Sequence, residues 1–229
     1  MRGKATSINE RGGYQHLATS RLAPHGERGV LAVLRAKAPR RALDLREAAQ
    51  VAEWQATTLL ELAGLTGPPT PASLIAELPR VVVHTDVDLP VSGCTSWQAG
   101  RWLIVINGAE PLVRQRFSLA HEYKHTVDHR YRAELYVDRP GLSAHAQAEQ
   151  AADYFAACLL MPKRWVYRAW ADGHQRVSEL SRLFAVSVPA MARRLEHLGL
   201  RTAPDGRNRD DQQLPSYTRF KHPWVRSPL

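Results

Sequence analysis

Five consecutive residues, His121-Glu122-Tyr123-Lys124-His125, constrain this chain more tightly than any other stretch. Residues four apart on a helix point nearly the same way, about 40° apart around the axis and roughly 6 Å along it, so two histidines at this spacing can reach one ion. The motif therefore belongs on a helix. Glu122 then projects beside the ion, where a carboxylate can take a proton from water instead of ligating. The bland alternative is a surface helix with coincidental histidines. A catalytic zinc site also needs a third protein ligand and an open position for water. His129 continues the four-residue series, but it lies about 12 Å up the helix from His121, too far to share an ion with bonds near 2 Å. Its expected role is packing or an outer contact. The extended three-histidine zinc pattern fails as well, because its later positions hold Asp128 and Tyr131.

The rest of the chain supplies a body for such a helix. With 229 residues and 44 % hydrophobic content, it is long enough for one well-buried domain plus tails. Asp44 is a suitable N-cap for a helix running to Leu62, which Gly64 stops ahead of the loop Gly67-Pro68-Pro69-Thr70-Pro71. A brief helix near Val30–Lys37 precedes it, and a short one follows around Ala72–Leu78. Val81-Val82-Val83 and Trp102–Ile106 read as strands, with Ser92-Gly93 as a turn and Asn107-Gly108 as hairpin or loop punctuation. Pro111 suits the first position of a long helix reaching about His129 or Tyr131. Further helices are expected at His145–Leu160, Trp165–Ala171, Val177–Phe184 and Pro189–Leu198.

Charge divides along these lines. The net charge is +9, yet residues 1–41 carry nine bases against two acids and residues 201–229 carry six against three, leaving 42–200 near neutral. The reading is a basic, poorly ordered N-terminal tail at 1–41, a body at 42–172, a helical pair at 173–200 and a basic polar tail at 201–229. The tails imply at most weak, salt-dependent attraction to nucleic acid. No apolar run reaches the roughly 20 residues of a membrane span, and the start of the chain lacks a secretory signal pattern, so a cytoplasmic protein without membrane contact is expected. Cys94 and Cys158 have no paired-ligand spacing and no activating context, which makes a cysteine nucleophile a weak reading.

Glu149 and Asp153 stand four apart on the second long helix, so two carboxylates share a face that can pack against the first helix. One can ligate and the other orient; a carboxylate on the far nitrogen of a ligating histidine is a natural role for Asp153. Several blocks now resemble the ImmA/IrrE-type metallopeptidases: Arg116-Phe117-Ser118-Leu119-Ala120 running into the H-E-Y-K-H motif, Glu149-Gln150-Ala151-Ala152-Asp153, and Phe155-Ala156 with Leu159-Leu160-Met161-Pro162. The resemblance covers roughly residues 43–200. It implies an α+β fold, a mainly helical zincin-like domain with a small β-sheet, and it implies His121, His125 and Glu149 as ligands of one zinc ion, Mn2+ or Fe2+ remaining open. It also implies Glu122 as catalytic base of a peptidase, and a helix-turn-helix repressor as the protein substrate, in stress response or mobile-element regulation. His145, Tyr123 and Tyr154 are unranked candidates for a donor to the transition state.

Residues 180–195 resemble a helix-turn-helix, with Ala185 at the turn and Arg193 and Arg194 facing outwards to contact nucleic acid. The same stretch also reads as a helical hairpin that completes the peptidase domain. A DNA-binding transcriptional regulator with a structural or vestigial metal site is accordingly the rival to the peptidase reading. Oligomeric state is not legible.

Overall fold

The computed structural model describes residues 29–200. These fold into a mostly helical α+β arrangement: α1 (Val30–Arg35), α2 (Leu45–Leu62), α3 (Ser73–Ala76), β1 (Val81–Asp86), β2 (Gly93–Gln98), β3 (Arg101–Asn107), α4 (Leu112–Asp128), α5 (Arg132–Leu135), α6 (Ala144–Leu160), α7 (Lys163–Ala171), α8 (Val177–Phe184) and α9 (Val188–His197). A single 3-10 turn, His129–Tyr131, joins α4 to α5. No described helix is long and apolar enough to cross a membrane.

Helix starts follow local chemistry. Asp44 accepts from the Glu47 backbone N–H at 2.8 Å while the Glu47 side chain accepts from the Asp44 N–H at 3.0 Å, a reciprocal cap that fixes the start of α2. Ser143 caps α6 and Ser187 caps α9 from one side only, each hydroxyl accepting a first-turn N–H. Pro111 sits at the N-cap of α4, one position before the place the sequence suggested.

The sheet is mixed, in the order β1-β3-β2, with β1 parallel and β2 antiparallel to the central β3. Alternation along β3 buries Trp102, Ile104 and Ile106 on one face. The sequence reading treated Ser92-Gly93 as a turn and missed β2. Gly93, Cys94, Ser96 and Gln98 give that strand no β-branched run; pairing with β3 holds it instead, and Thr95 Oγ1 meets Thr126 Oγ1 of α4 at 3.2 Å. The hairpin between β2 and β3 turns at Ala99-Gly100, both at positive φ, whereas Asn107-Gly108 leads out of the sheet towards α4. A Cβ on Gly108 would lie 2.6 Å from Thr85 Cγ2, so the chain can pass β1 there only without a side chain.

Helix α4 lies across the sheet and against α6, and α2 packs on α6 from the other side. Ala52, Ala56, Ala120, Ala152 and Ala156 are all buried at this junction, and such short side chains let helix axes approach closely. Polar groups on α4 are buried too. Lys124 Nζ lies 2.6 Å from both Asp128 carboxylate oxygens, and Tyr136 OH donates to Asp128 at 2.6 Å. Arg116 donates to the carbonyls of Thr70, Phe184 and Ala185, which ties α4 to the proline-rich loop and to the turn between α8 and α9.

The N-terminal boundary needs correction. Residues 30–35 do not belong to a poorly ordered tail. Val30 and Leu34 are buried in the main core, and Arg35 donates to the carbonyls of Val127 and Thr126 at 2.9 and 3.0 Å, supplying a cation and donors where the last turn of α4 lacks partners. The remainder of the tail assignments, residues 1–28 and 201–229, fall outside the described residues. A chain beginning at Ala42 is expected to melt well below one beginning at Gly29. Loss of Val30 and Leu34 burial alone removes about 3 kcal/mol or more, and thermal unfolding of the two purified chains checks it.

Candidate metal centre

Two pairs of side chains, each four residues apart, face one another across the α4–α6 contact. His121 Nε2 lies 3.1 Å from His125 Nε2, 3.3 Å from Glu149 Oε2, and His125 Nε2 lies 3.2 Å from Glu149 Oε1. Asp153 Oδ1 accepts from His121 Nδ1 at 2.8 Å. Glu149 reaches both histidines while Asp153, one turn further along α6, reaches the earlier one, so the two helices run in opposite senses here.

The donor set fits a divalent cation. Ligand atoms on a tetrahedron with bonds of about 2.0–2.1 Å are separated by about 3.3–3.4 Å; the two imidazole nitrogens are 3.1 Å apart, and each lies 3.2–3.3 Å from one of the two Glu149 carboxylate oxygens. They come from two imidazoles and one carboxylate, the ligand types of a site that keeps one position open for water. The His121 and His125 side chains are 11 % and 13 % exposed and Glu149 is 32 % exposed, which places the trio at the bottom of a recess that solvent still reaches. Burial works to lower the His121 pKa, but the hydrogen bonds it donates to Asp153 and Glu149 outweigh it and push the imidazole up to about 9. Glu149 is held far below the ordinary carboxylate range: burial opposes this, and the two histidines dominate. The Glu149 carboxylate thus stays ionised beside the imidazoles and, with that of Asp153, favours a positive charge at this point.

Glu122 points to the same recess from the next position on α4. Burial raises its carboxyl pKa, the histidines oppose the rise and Glu149 adds to it. The first residue of β2 is packed directly upon it: a Cβ on Gly93 would fall 3.0 Å from Glu122 Cγ and 3.4 Å from Oε1.

Of the three candidate donors, only His145 is near. Its Nδ1 is 3.6 Å from Glu149 Oε1 and accepts from Arg132 Nη2 at 3.0 Å, at the rim, with the side chain 72 % exposed. Tyr123 is 1 % exposed and packs on Phe155 in the core, because two residues along a helix turn it about 200° from the histidine face. Tyr154 turns towards α2, its hydroxyl 3.5 Å from Glu53 Oε2. Neither tyrosine belongs to the site. His129 packs edge-on against Trp102, 4.9 Å between ring centres, which is the packing role expected of it. The outward placement of Arg194 is also wrong: it is 2 % exposed, and Arg193 alone of that pair faces solvent. Both cysteines are free, and burial raises each thiol pKa, Cys158 to about 11, opposite to what an activated nucleophile needs.

Replacing Asp153 by Asn should weaken metal binding about 10- to 100-fold, because the histidine loses the partner that fixes its tautomer. Competition against a chelator, with Glu149→Ala as the variant that removes a ligand outright, measures it.

Comparisons with known proteins bear on the site. No curated protein matches the chain. Among solved structures, a Mycobacterium tuberculosis transcriptional regulator is similar in fold, with 18 % sequence identity and a TM-score of 0.53 over 73 % of this chain and 51 % of that one. The chain thus spans about half the length of that protein. The model of the IrrE N-terminal-like domain, peptidase M78, matches residues 78–196, a stretch that holds the sheet, α4 with both histidines, and α6 with Glu149. On that match, which takes in just over half of its length, the chain belongs to the peptidase M78 family.

Proposed function

We propose that this protein is a zinc-dependent endopeptidase acting in the cytoplasm on a protein substrate, a DNA-binding repressor of the helix-turn-helix class. The observation that carries this reading is the convergence of His121, His125 and Glu149 with a second, non-ligating carboxylate, Glu122, beside them. His121, His125 and Glu149 would hold the metal, with Asp153 orienting His121. A divalent zinc in that position supplies Lewis-acid polarisation of a carbonyl and of water.

The chain's own residues supply the proton handling. Glu122 accepts a proton from the attacking water and returns it to the leaving amine nitrogen. A carboxyl whose pKa is raised by burial does both more readily than one held strongly acidic. β2 is the outer strand on the side of the sheet that meets α4, and its first residue touches Glu122. An extended peptide that adds to its open edge would be hydrogen-bonded through its backbone, with a carbonyl brought to the recess. Sequence-tolerant backbone pairing of this kind suits an endopeptidase. His145, at the rim, is the remaining side-chain donor from the sequence reading.

The rival reading assigns the α8–α9 pair to DNA and the metal site to structure. That pair has a left-handed Ala185 at its turn, but Arg194 is drawn into the core, and Glu122 beside the ligands is left without a task. Glu122→Gln is expected to keep stoichiometric zinc and lose cleavage of a cognate repressor by about 10²- to 10⁴-fold, whereas His121→Ala should lose the metal. Elemental analysis together with a single-turnover cleavage assay separates the two; undiminished cleavage by Glu122→Gln would remove that residue as the base.

A further inference from the structure

A second recess lies between α2, α6, α7 and α9, on a different face of α6 from the metal ligands. It has a volume of about 360 Å³, and its wall includes Glu53, Cys158, Lys163, Arg164, Tyr167 and Arg194. Arg194 forms part of this wall although it is 2 % exposed. Its Nε donates to the Met161 carbonyl at 3.0 Å, and its guanidinium carbon stands 5.7 Å from the centre of the Tyr154 ring. The two terminal nitrogens, Nη1 and Nη2, are shielded from solvent and meet no carboxylate or carbonyl among the described residues, their polar neighbours being the Tyr154 phenol and the Cys158 thiol. Its charge acts on the Cys158 thiol and the Tyr154 phenol, lowering pKa values that burial raises, yet neither neutral group compensates a cation. A buried guanidinium fork that faces no negative charge is costly unless an anion meets it.

Other features of the recess point the same way. Lys163 and Arg164 begin α7, a helix of nine residues whose N-cap, Pro162, offers no side-chain cap. The first-turn N–H groups and the positive end of the helix are therefore directed at the same space. Glu53 is the one acid on the wall, and the Tyr154 hydroxyl donates to it at 3.5 Å. Leu60, Thr57 and Tyr167 complete a partly apolar lining.

We propose that this recess is a binding site for a small molecule bearing an oxyanion, a carboxylate or a phosphate, whose head group is gripped by the planar fork of Arg194 and flanked by Lys163 and Arg164. Guanidinium geometry matches either oxyanion bidentately. The apolar or hydroxylated remainder of the ligand lies along Thr57, Leu60 and Tyr167. Because Arg194 belongs to α9 while the opposing wall belongs to α2 and α6, occupancy fastens the C-terminal helix to the body that carries the metal site.

The test uses the full chain with its metal, titrated separately with inorganic phosphate and with acetate at fixed ionic strength, and read by the NMR shift of the Arg194 guanidinium and by melting temperature. A saturable shift with phosphate, with acetate or with both supports the site, and the stronger of the two names the head group. Arg194→Gln should weaken that binding about 30-fold or more. Should that variant fail to fold, the rim pair Lys163→Ala with Arg164→Ala, which leaves the buried guanidinium in place, should weaken it about fivefold or more. Absence of a saturable response in the unaltered chain, or binding that persists undiminished in the variants, as it would for an anion seated on the metal, overturns the proposal.

Discussion

The distance between α4 and α6 governs everything else in this molecule. A cation held by atoms from both helices tolerates only a few tenths of an ångström of error, and that spacing is set by what stands between the helices away from the ligands. Alanines at 120, 152 and 156 are buried there, with Phe155 and Tyr123 filling the larger gaps. Larger groups at the alanine positions would separate Glu149 from the imidazoles long before they unfolded the chain.

Burying such a helix creates a second demand, because α4 carries polar groups that face inward. Most find an answer within the helix or from another element, Ser118 Oγ being without a partner among the described residues. Lys124 is buried at 0 % exposure against Asp128, which in turn accepts from Tyr136. Burial lowers the Lys124 pKa and the facing carboxylate counters it. The free carbonyls at the C-terminal end of α4 are met by Arg35. The ligand-bearing segment is thus braced at several points, which suits side chains that must hold one geometry.

Much of this was readable from residue types, and the failures have physical causes. Helix starts were legible where a side chain closes them, as Asp44 with Glu47 does for α2. The two helices that carry the candidate ligands followed from spacing, and the structure brings His121, His125 and Glu149 to within reach of one ion. β2 was hidden because pairing with β3, not its own composition, makes it a strand. The helix of α1 was legible near Val30–Lys37, but its place in the core was not, because charge averaged over 41 residues concealed one apolar turn with an arginine that reaches 92 residues ahead. Tyr123 and Tyr154 could have been excluded by helical rotation alone, and Arg194 shares the i, i+3, i+4 face of Met191 and Leu195, a signal of burial that its charge overrode.

Arg116 couples the two halves of the fold. Its guanidinium serves at once the carbonyls that end α8 and a carbonyl of the loop after α2. Pulling the terminal helical pair away would strand the Phe184 and Ala185 oxygens and take two acceptors from a half-buried cation on the helix that presents both histidines. The pair and the histidine helix therefore travel as a single piece, and a force applied to one is felt at the other through a rigid strut.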